Sequence, residues 1–297
     1  MGIERIVLGG GNFGGVGSDL SLVGKGETEQ EAFEVMDAAW ARGVRRFDTA
    51  SSYGGGRSER TIGAWIAARR PGGLALTSKA FHPVHEGDDS GLAPARIRRV
   101  VRESAERLGV DRIDLYLVHE PDPATPLAAT LSALEELVSD GVIGAIGVSN
   151  VDGAYLAEAI ELAPIAVVQN EYSLLVRDSE RDVIPLCVEQ GIAFQAFSPL
   201  AGGWLTGKYT RDTSFAPGSR MTLRPGPYTA FVRDEIFGSL EELARLGDPA
   251  ALSLAWILAN PDVAAIVVGP RRPEHLVPVW ASLELEVERD KLTELFA

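Results

Sequence analysis

The chain has little cysteine, no long apolar run and a deficit of basic residues, and each shortage excludes a class of protein. Cys187 is the only cysteine among 297 residues, so no internal disulfide can form. Its apolar setting predicts an inert thiol on the buried face of a helix. No apolar run approaches the roughly 18 residues needed to cross a bilayer. The N-terminus also lacks a signal-peptide-like stretch, so we expect a cytoplasmic protein.

The deficit of basic residues argues against polyanionic partners. Lys and Arg total 28 against 42 Asp and Glu, which gives a formal charge of −14. Such a surface repels nucleic acid and anionic membranes, so we predict neither as a partner. Any site for a phosphate-bearing ligand therefore requires a local cluster of Arg and Lys.

What the chain does contain is a regular alternation of short β-rich runs and amphipathic segments. This alternation predicts βαβ units around a parallel sheet, and eight of them suit a closed barrel. We predict an α/β fold of the (β/α)8 TIM-barrel class, one domain spanning residues 1–297. The predicted strands are Ile6–Leu8, Val44–Phe47, Leu74–Thr77, Ile113–Val118, Ile143–Val148, Ile165–Val168, Ile192–Phe197 and Ala264–Val268.

Two local patterns sharpen this prediction. The segment that begins at Glu29 predicts an amphipathic helix with Phe33, Met36, Ala39 and Trp40 on one face, and Gly109 predicts the end of another helix. The stretch 199–232, with five Gly and four Pro, predicts a long loop after the seventh strand. Loops of this length in compact domains are often functional, so we expect it to contact cofactor or substrate.

Four polar residues stand at or just beyond the predicted strand ends. Asp48 and Tyr53 follow the second run, Lys79 the third and His119 the fourth. In an α/β barrel the carboxyl ends of the strands carry the chemistry. These residues therefore predict an acid-base site at that face of the barrel.

The pattern resembles the aldo-keto reductase family over nearly the whole chain, in the branch that includes potassium-channel beta subunits and bacterial aldo/keto reductases. The resemblance implies reduction of an aldehyde or ketone by hydride transfer from a nicotinamide cofactor. It implies that Tyr53 is the general acid, which the developing alkoxide requires. In the implied tetrad Lys79 stabilises the phenolate, Asp48 keeps Lys79 protonated, and His119 orients the carbonyl or shares the proton.

The resemblance also implies a set of cofactor contacts. Phe197 stands where the family has a stacking Tyr or Trp, which keeps the stacking but loses the polar handle. Implied contacts at the nicotinamide end are Gly11, Asn12, Phe13 and Asp48, with Ser149, Asn150 and Gln169 on the carboxamide. Implied contacts along the phosphates are Ser198, Pro199, Leu200, Lys208 and Arg220, and Gly269 and His275 are further implied cofactor contacts.

The segment after the eighth strand predicts which cofactor is used. Arg271 could bind a 2′-phosphate, so the expected cofactor is NADP(H) rather than NAD(H). His275 occupies a place where the family has Gln or Arg. The family's Glu and Asn that hold the adenine are replaced here by Pro278 and Val279, which weakens the expected adenine contacts.

Three alternative interpretations compete with this one. Gly9, Gly11 and Gly14 form the pattern GxGxxG, but helical periodicity does not follow, so a Rossmann domain is disfavoured. His82 and His85, with His119 and Glu120, could suggest a metal site, but no ligands stand at the first strand end, so no metal is expected. An NADP(H)-binding, redox-sensing subunit with little turnover stays open. The particular carbonyl substrate and the oligomeric state are not predicted.

Overall fold

A closed barrel of eight parallel strands forms the centre of the molecule in a computed structural model that describes residues 2–296. Each strand pairs with its neighbours in chain order, and Val7 of the first strand pairs with Val267 of the last to close the barrel. The strands are β1 (Ile6–Gly9), β2 (Arg46–Asp48), β3 (Ala75–Ala80), β4 (Ile113–Val118), β5 (Ile143–Ser149), β6 (Ile165–Glu171), β7 (Ala193–Phe197) and β8 (Ala265–Val268). The predicted barrel is confirmed.

Helices follow the strands and surround the barrel. They are α1 (Glu29–Ala41), α2 (Arg57–Arg69), α3 (Pro94–Leu108), α4 (Leu127–Ser139), α5 (Gly153–Leu162), α6 (Val183–Gln190), α7 (Arg220–Leu223), α8 (Asp234–Leu246), α9 (Pro249–Leu258), α10 (Val277–Ser282) and α11 (Arg289–Glu294). Within residues 2–296, no helix is long and apolar enough to cross a membrane. The segment 199–232 contains α7 and the short 3₁₀ helices Ala201–Thr206 and Gly226–Phe231.

The helix ends follow from local sequence. Thr28 begins α1 with a reciprocal capping box, in which its hydroxyl and the carboxylate of Glu31 bind each other's backbone N–H. Gly109 ends α3 with a φ of 68°, as predicted. The predicted face of α1 includes Met36 and Ala39 at its buried centre, whereas Phe33 and Trp40 are half-buried at its margin.

Five strands, β1, β2, β3, β5 and β6, extend further toward the carboxyl face than predicted. Lys79 lies inside β3, opposite Leu117, and Gln169 lies inside β6, opposite Ser149, so neither residue follows its strand. Ser149 is likewise the last residue of β5. The predicted boundaries were too early because they were placed where the apolar run ends. Polar side chains directed into the barrel mouth leave the backbone hydrogen-bond ladder intact.

Apolar side chains on the two faces of the strands form two separate clusters. Val7, Ala265 and Val267 form a small one, while Ile6 and Leu8, which alternate with Val7 along β1, belong to the large cluster shared with the helices. Alternation along a strand places the two sets on opposite faces, so the small cluster lies in the barrel interior. Phe197 packs against this small cluster at the carboxyl end of β7. The polar side chains at the carboxyl ends of the strands therefore lie above this apolar cluster.

Candidate active site

A buried ion pair between Lys79 and Asp48 stands at the centre of the site. Nζ of Lys79 donates to Oδ1 of Asp48 at 2.5 Å and to the carbonyl oxygen of Thr49 at 2.9 Å. The other carboxylate oxygen of Asp48 accepts from Nε2 of Gln169 at 2.9 Å. Nε2 of Gln169 also lies 3.2 Å from Oε1 of Gln195. Side chains of β3 and β6 thus converge on the carboxylate of β2, and Gln195 of β7 joins the group through Gln169.

The ion pair determines the charge state of Lys79. Burial lowers the pKa of this ammonium, but the charge of Asp48 and contacts with Asp48 and Tyr53 outweigh burial, so the pKa of Lys79 is raised overall. Both side chains are almost fully buried, with exposed fractions of 1% and 4%. Lys79 is therefore a fixed positive charge in a poorly hydrated place, where it acts strongly on its neighbours.

Tyr53 lies beside this charge in the turn between β2 and α2. The centre of its ring is 5.1 Å from Nζ of Lys79. Burial raises the pKa of Tyr53, while the charge of Lys79 and a hydrogen bond with it act in the opposite direction, and the net shift is upward. The Tyr53 hydroxyl is consequently protonated at neutral pH. A proton donor must itself be protonated, so Tyr53 is in the state that this role requires.

His119 follows β4 and completes the group. Its ring lies edge-on to Tyr53, with 5.5 Å between ring centres, and edge-on to His82, with 5.0 Å between ring centres. Burial, together with the charges of Lys79 and His82, holds the pKa of His119 well below its usual range. Its Nδ1 is buried and has no hydrogen-bond partner within residues 2–296. His119 is therefore a neutral imidazole with an uncommitted polar atom.

The structure brings the predicted carboxamide set to the same place. Nδ2 of Asn150 donates to the carbonyl oxygen of His119 at 2.8 Å and lies 3.2 Å from Oγ of Ser149. Asn150 has a φ of 58°, a conformation that Asn tolerates better than most residues. Gln169 reaches the group through its bond to Asp48. These three amide and hydroxyl groups lie beside Asp48 and His119.

The backbone after β7 turns sharply around glycine. Ser198, Ala201, Gly202 and Gly203 all have positive φ, between 46° and 96°. A Cβ on Gly202 would overlap the ring of Tyr228, so the two halves of the segment 199–232 approach each other closely there. The segment carries Ser198, Pro199 and Leu200 directly past the end of β7, beside Phe197.

Three predicted phosphate-binding cations gather next to this turn. Burial lowers the pKa of Lys208, and the neighbouring charges of Arg220 and Arg271 lower it further. Arg220 donates to the side-chain oxygen of Asn12, and Nδ2 of Asn12 donates to the carbonyl oxygen of Gly269 at 3.2 Å. In a chain with a charge of −14, three mutually repelling cations form the local positive site that a diphosphate requires. The residues present therefore fit a dinucleotide.

Arg271 lies at the same end of the barrel but is already engaged. Its Nε donates to the carboxylate of Glu27, and its Nη1 donates to the carbonyl oxygen of Gly218 at 2.9 Å. Its backbone N–H donates to Nδ1 of His275 at 3.2 Å. Val279, one of the two departures in the adenine segment, is buried in the apolar core.

Sequence analysis missed several residues that line the site: Glu27, Thr49, Gln195, Arg224 and Tyr228. Arg224 directly follows α7, and its positive charge acts to lower the pKa of Tyr53 and of His119. Its Nη1 lies 3.2 Å from the position that a Cβ on Gly17 would occupy. Its side chain has no ion pair within the described chain. Arg224 stands in a turn-forming stretch, so sequence gave no signal beyond the length of the loop.

The structure also bears on the competing interpretations. No helix begins at Gly14, and the closed barrel leaves no open Rossmann sheet, so GxGxxG here belongs to a loop. His82 Nε2 lies 3.6 Å from a carboxylate oxygen of Glu120, and residues 2–296 contain no group of three or more His, Cys, Asp or Glu that could hold a metal ion. Burial raises the pKa of the Cys187 thiol to about 12, which agrees with an inert cysteine.

Comparison with known proteins agrees with the fold. Residues 5–296 match the model of the aldo/keto reductase family. An uncharacterised oxidoreductase of Bacillus subtilis (strain 168), YrpG, is 34% identical, with 99% of this chain and 91% of the relative covered. The NADH-specific methylglyoxal reductase of Escherichia coli (strain K12) is 32% identical, with 82% of this chain and 80% of the relative covered.

Solved structures give the same result. The thermostable aldo-keto reductase Tm1743, in complex with the inhibitor epalrestat, matches with a TM-score of 0.75 and 31% identity, covering 98% of this chain and 94% of the other. The glycerol dehydrogenase AKR11B4 of Gluconobacter oxydans matches with a TM-score of 0.82 and 28% identity, covering 98% and 90%.

The chain therefore belongs to the aldo/keto reductase family, whose members are oxidoreductases that use a nicotinamide cofactor. Within that family, small carbonyl compounds are typical substrates.

Proposed function

We propose that this protein reduces an aldehyde or ketone to an alcohol with NADPH as the hydride donor and Tyr53 as the general acid. The observation that carries the proposal is the buried ammonium of Lys79, held by Asp48 and placed beside the Tyr53 ring. Hydride addition to a carbonyl produces an alkoxide that needs a proton at once. Tyr53 is the protonated side chain positioned to supply it.

The roles of the tetrad follow from its electrostatics. When Tyr53 gives up its proton, the phenolate is stabilised by the adjacent ammonium of Lys79, and the low local polarity strengthens that attraction. Asp48 keeps Lys79 charged and oriented. His119 is neutral, which favours hydrogen bonding to the carbonyl oxygen over proton sharing. Its position against the Tyr53 ring would direct the oxygen toward the acid.

The cofactor supplies the hydride, and residues already described would hold it. Phe197 would pack on the nicotinamide, with its carboxamide bound by Ser149, Asn150 and Gln169. Lys208 and Arg220 would bind the diphosphate, and Arg271 a 2′-phosphate. Further proposed contacts are Gly11, Asn12, Phe13, Asp48, Ser198, Pro199, Leu200, Gly269 and His275.

The test is oxidation of NADPH and NADH measured against a panel of aromatic, aliphatic and sugar-derived carbonyls. We expect turnover with at least one class and tighter binding of NADPH. Arg271→Ala should narrow that preference roughly ten- to hundredfold, in line with loss of a charge-assisted contact. Cofactor binding without turnover on the whole panel would instead support the redox-sensing role, and equal affinities in the wild type would overturn the assignment of NADPH.

A further inference from the structure

The carboxylate of Glu27 lies among the cations proposed to bind the cofactor. Glu27 stands between β1 and α1, and its backbone is tied to the β1 loop. Its N–H donates to the carbonyl oxygen of Asn12 at 2.8 Å, and its carbonyl accepts from Gly14 at 2.8 Å. These bonds fix Glu27 at one position on the loop that also carries Asn12.

Its side chain is almost fully buried and only half satisfied. Oε1 accepts from Nε of Arg271, whereas Oε2 is buried and has no hydrogen-bond partner within residues 2–296. Burial raises the pKa of Glu27, and the hydrogen bond and charge of Arg271, with the charge of Arg220, offset only part of that rise. A buried carboxylate with a free oxygen is costly, so a structural role alone explains it poorly.

The ion pair between Glu27 and Arg271 is asymmetric. Only 3% of the Glu27 side chain is exposed, against 44% for Arg271. The arginine is therefore the member that can reach a ligand, while the carboxylate stays in place. A 2′-phosphate that binds Arg271 must compete with a negative charge already paired to it. A cofactor with a hydroxyl at that position meets no such competition.

We propose that Glu27 is a specificity-determining residue for the cofactor: by competing with the 2′-phosphate for Arg271 it narrows the preference for NADPH and allows use of NADH. This inference rests on the proposed function, since it concerns the same cofactor site. It assigns a defined role to a residue that contacts neither the reacting atoms nor the tetrad.

The test is equilibrium titration of tryptophan fluorescence with NADPH and NADH, without substrate. Glu27→Gln keeps the shape of the side chain and removes its charge. We expect NADPH affinity to rise about tenfold, as for release of a charged hydrogen bond, and NADH affinity to change less than about threefold. Thermal unfolding of each variant checks the fold. Should Glu27→Gln fail to fold, Glu27→Met fills a similar volume without a polar group and is titrated in its place.

Two comparisons isolate the contact with Arg271. Glu29→Gln removes an exposed carboxylate two residues away in the first turn of α1, so it measures the effect of lost charge alone, and we expect no change in preference. In an Arg271→Ala background, Glu27→Gln should change the NADPH affinity less than about threefold, because no arginine remains to be freed from its pair with Glu27.

The outcomes separate this inference from the function on which it rests. An unchanged ratio of affinities in Glu27→Gln, or the same change with and without Arg271, would overturn the role of Glu27. Wild-type protein that binds neither cofactor would instead overturn the proposed function.

Discussion

Individual side chains decide the chemistry of this barrel, and the pair Lys79–Asp48 shows how. Burying two charges costs more than a surface pair, and the cost is offset only when the remaining polar atoms are bonded. Here Thr49 and Gln169 supply those bonds. A stable ammonium next to a phenol is the result, and the proposed acid role of Tyr53 depends on it.

The first prediction concerns the Tyr53 hydroxyl. Tyr53→Phe removes the proposed proton donor and keeps the ring, so turnover should fall by about a hundredfold or more. Cofactor affinity should not change. Steady-state assays combined with fluorescence titration measure both quantities. Near-normal turnover in the variant would show that another side chain is the acid.

The second prediction concerns the stability of the buried pair. Lys79→Met leaves the carboxylate of Asp48 buried without its counter-ion, which should lower the free energy of unfolding by about 3–5 kcal/mol. Asp48→Asn should also lower the free energy of unfolding, because it leaves the ammonium of Lys79 buried without its counter-ion. The double variant should lose less than the sum of the single losses, because no unpaired charge remains. Urea unfolding of the four proteins measures this coupling, and strictly additive losses would show that the two charges do not support each other.

Secondary-structure elements position these side chains through close packing, and glycine permits the closest approach. Gly63 in α2 faces the end of α3, where a Cβ would overlap the backbone carbonyl oxygen of Arg107. On the same interface Arg107 donates to the buried carboxylate of Glu59 at 2.6 Å, and Glu59 accepts from Ser78 of β3. Helices α2 and α3 and strand β3 are thereby fixed together beneath the site.

The third prediction tests this interface. Gly63→Ala should lower the free energy of unfolding by about 1–3 kcal/mol, because backbone must move to admit the methyl group. Activity per folded molecule should be retained, since α2 and α3 contribute none of the tetrad. Gly72→Ala is the matched control: no atom lies within 4 Å of its Cβ position, and its backbone does not have positive φ. A neutral result at both glycines would mean that the helices can separate without cost.

At the scale of the whole molecule, acidic residues dominate the response to pH. Contacts lower the pKa of several carboxyl groups: Arg69 does so for Asp37, and bonds from backbone N–H groups outweigh burial for Asp122. Such groups stabilise the fold above their unfolded pKa, and this contribution is lost as pH falls through the folded value. Burial raises the pKa of Glu27 and Glu171. Protonation of these two groups on acidification therefore favours the folded state and offsets part of the lost stability.

The fourth prediction concerns how stability changes with pH, and it combines these carboxyl pKa shifts with the net charge. From pH 7 toward the isoelectric point near 4.8, mutual repulsion among the excess carboxylates decreases and stability should hold or rise. Below about pH 4 the paired carboxylates become protonated and stability should fall. Urea unfolding at several pH values between 7 and 3 measures this profile. A free energy of unfolding that stays constant down to pH 3 would contradict it.

Local pattern was enough to predict the barrel and to place four polar residues at its carboxyl face, whereas their roles were implied by the family resemblance. Strand and helix periodicities are short-range properties, and parallel strands bring their carboxyl ends to one face whatever their exact bounds. Asp48, Tyr53, Lys79 and His119 could thus be placed together before any contact was seen. The strand ends at Lys79 and Gln169 were misjudged, since polarity there reflects the barrel mouth and not a loop.

Long-range contacts were decided only by the tertiary structure. Gln169 bonds Asp48 across 121 residues, and Glu27 pairs with Arg271 across 244. No local pattern marks either pair, because each depends on how β6 faces β2 and on how β8 closes against β1. The sequence by itself therefore determined the family and the barrel, and it placed Asp48, Tyr53, Lys79 and His119 at one face of that barrel. Barrel closure alone brought the carboxylate of Glu27 beside Arg271, because charges far apart in the chain become neighbours only when the last strand meets the first.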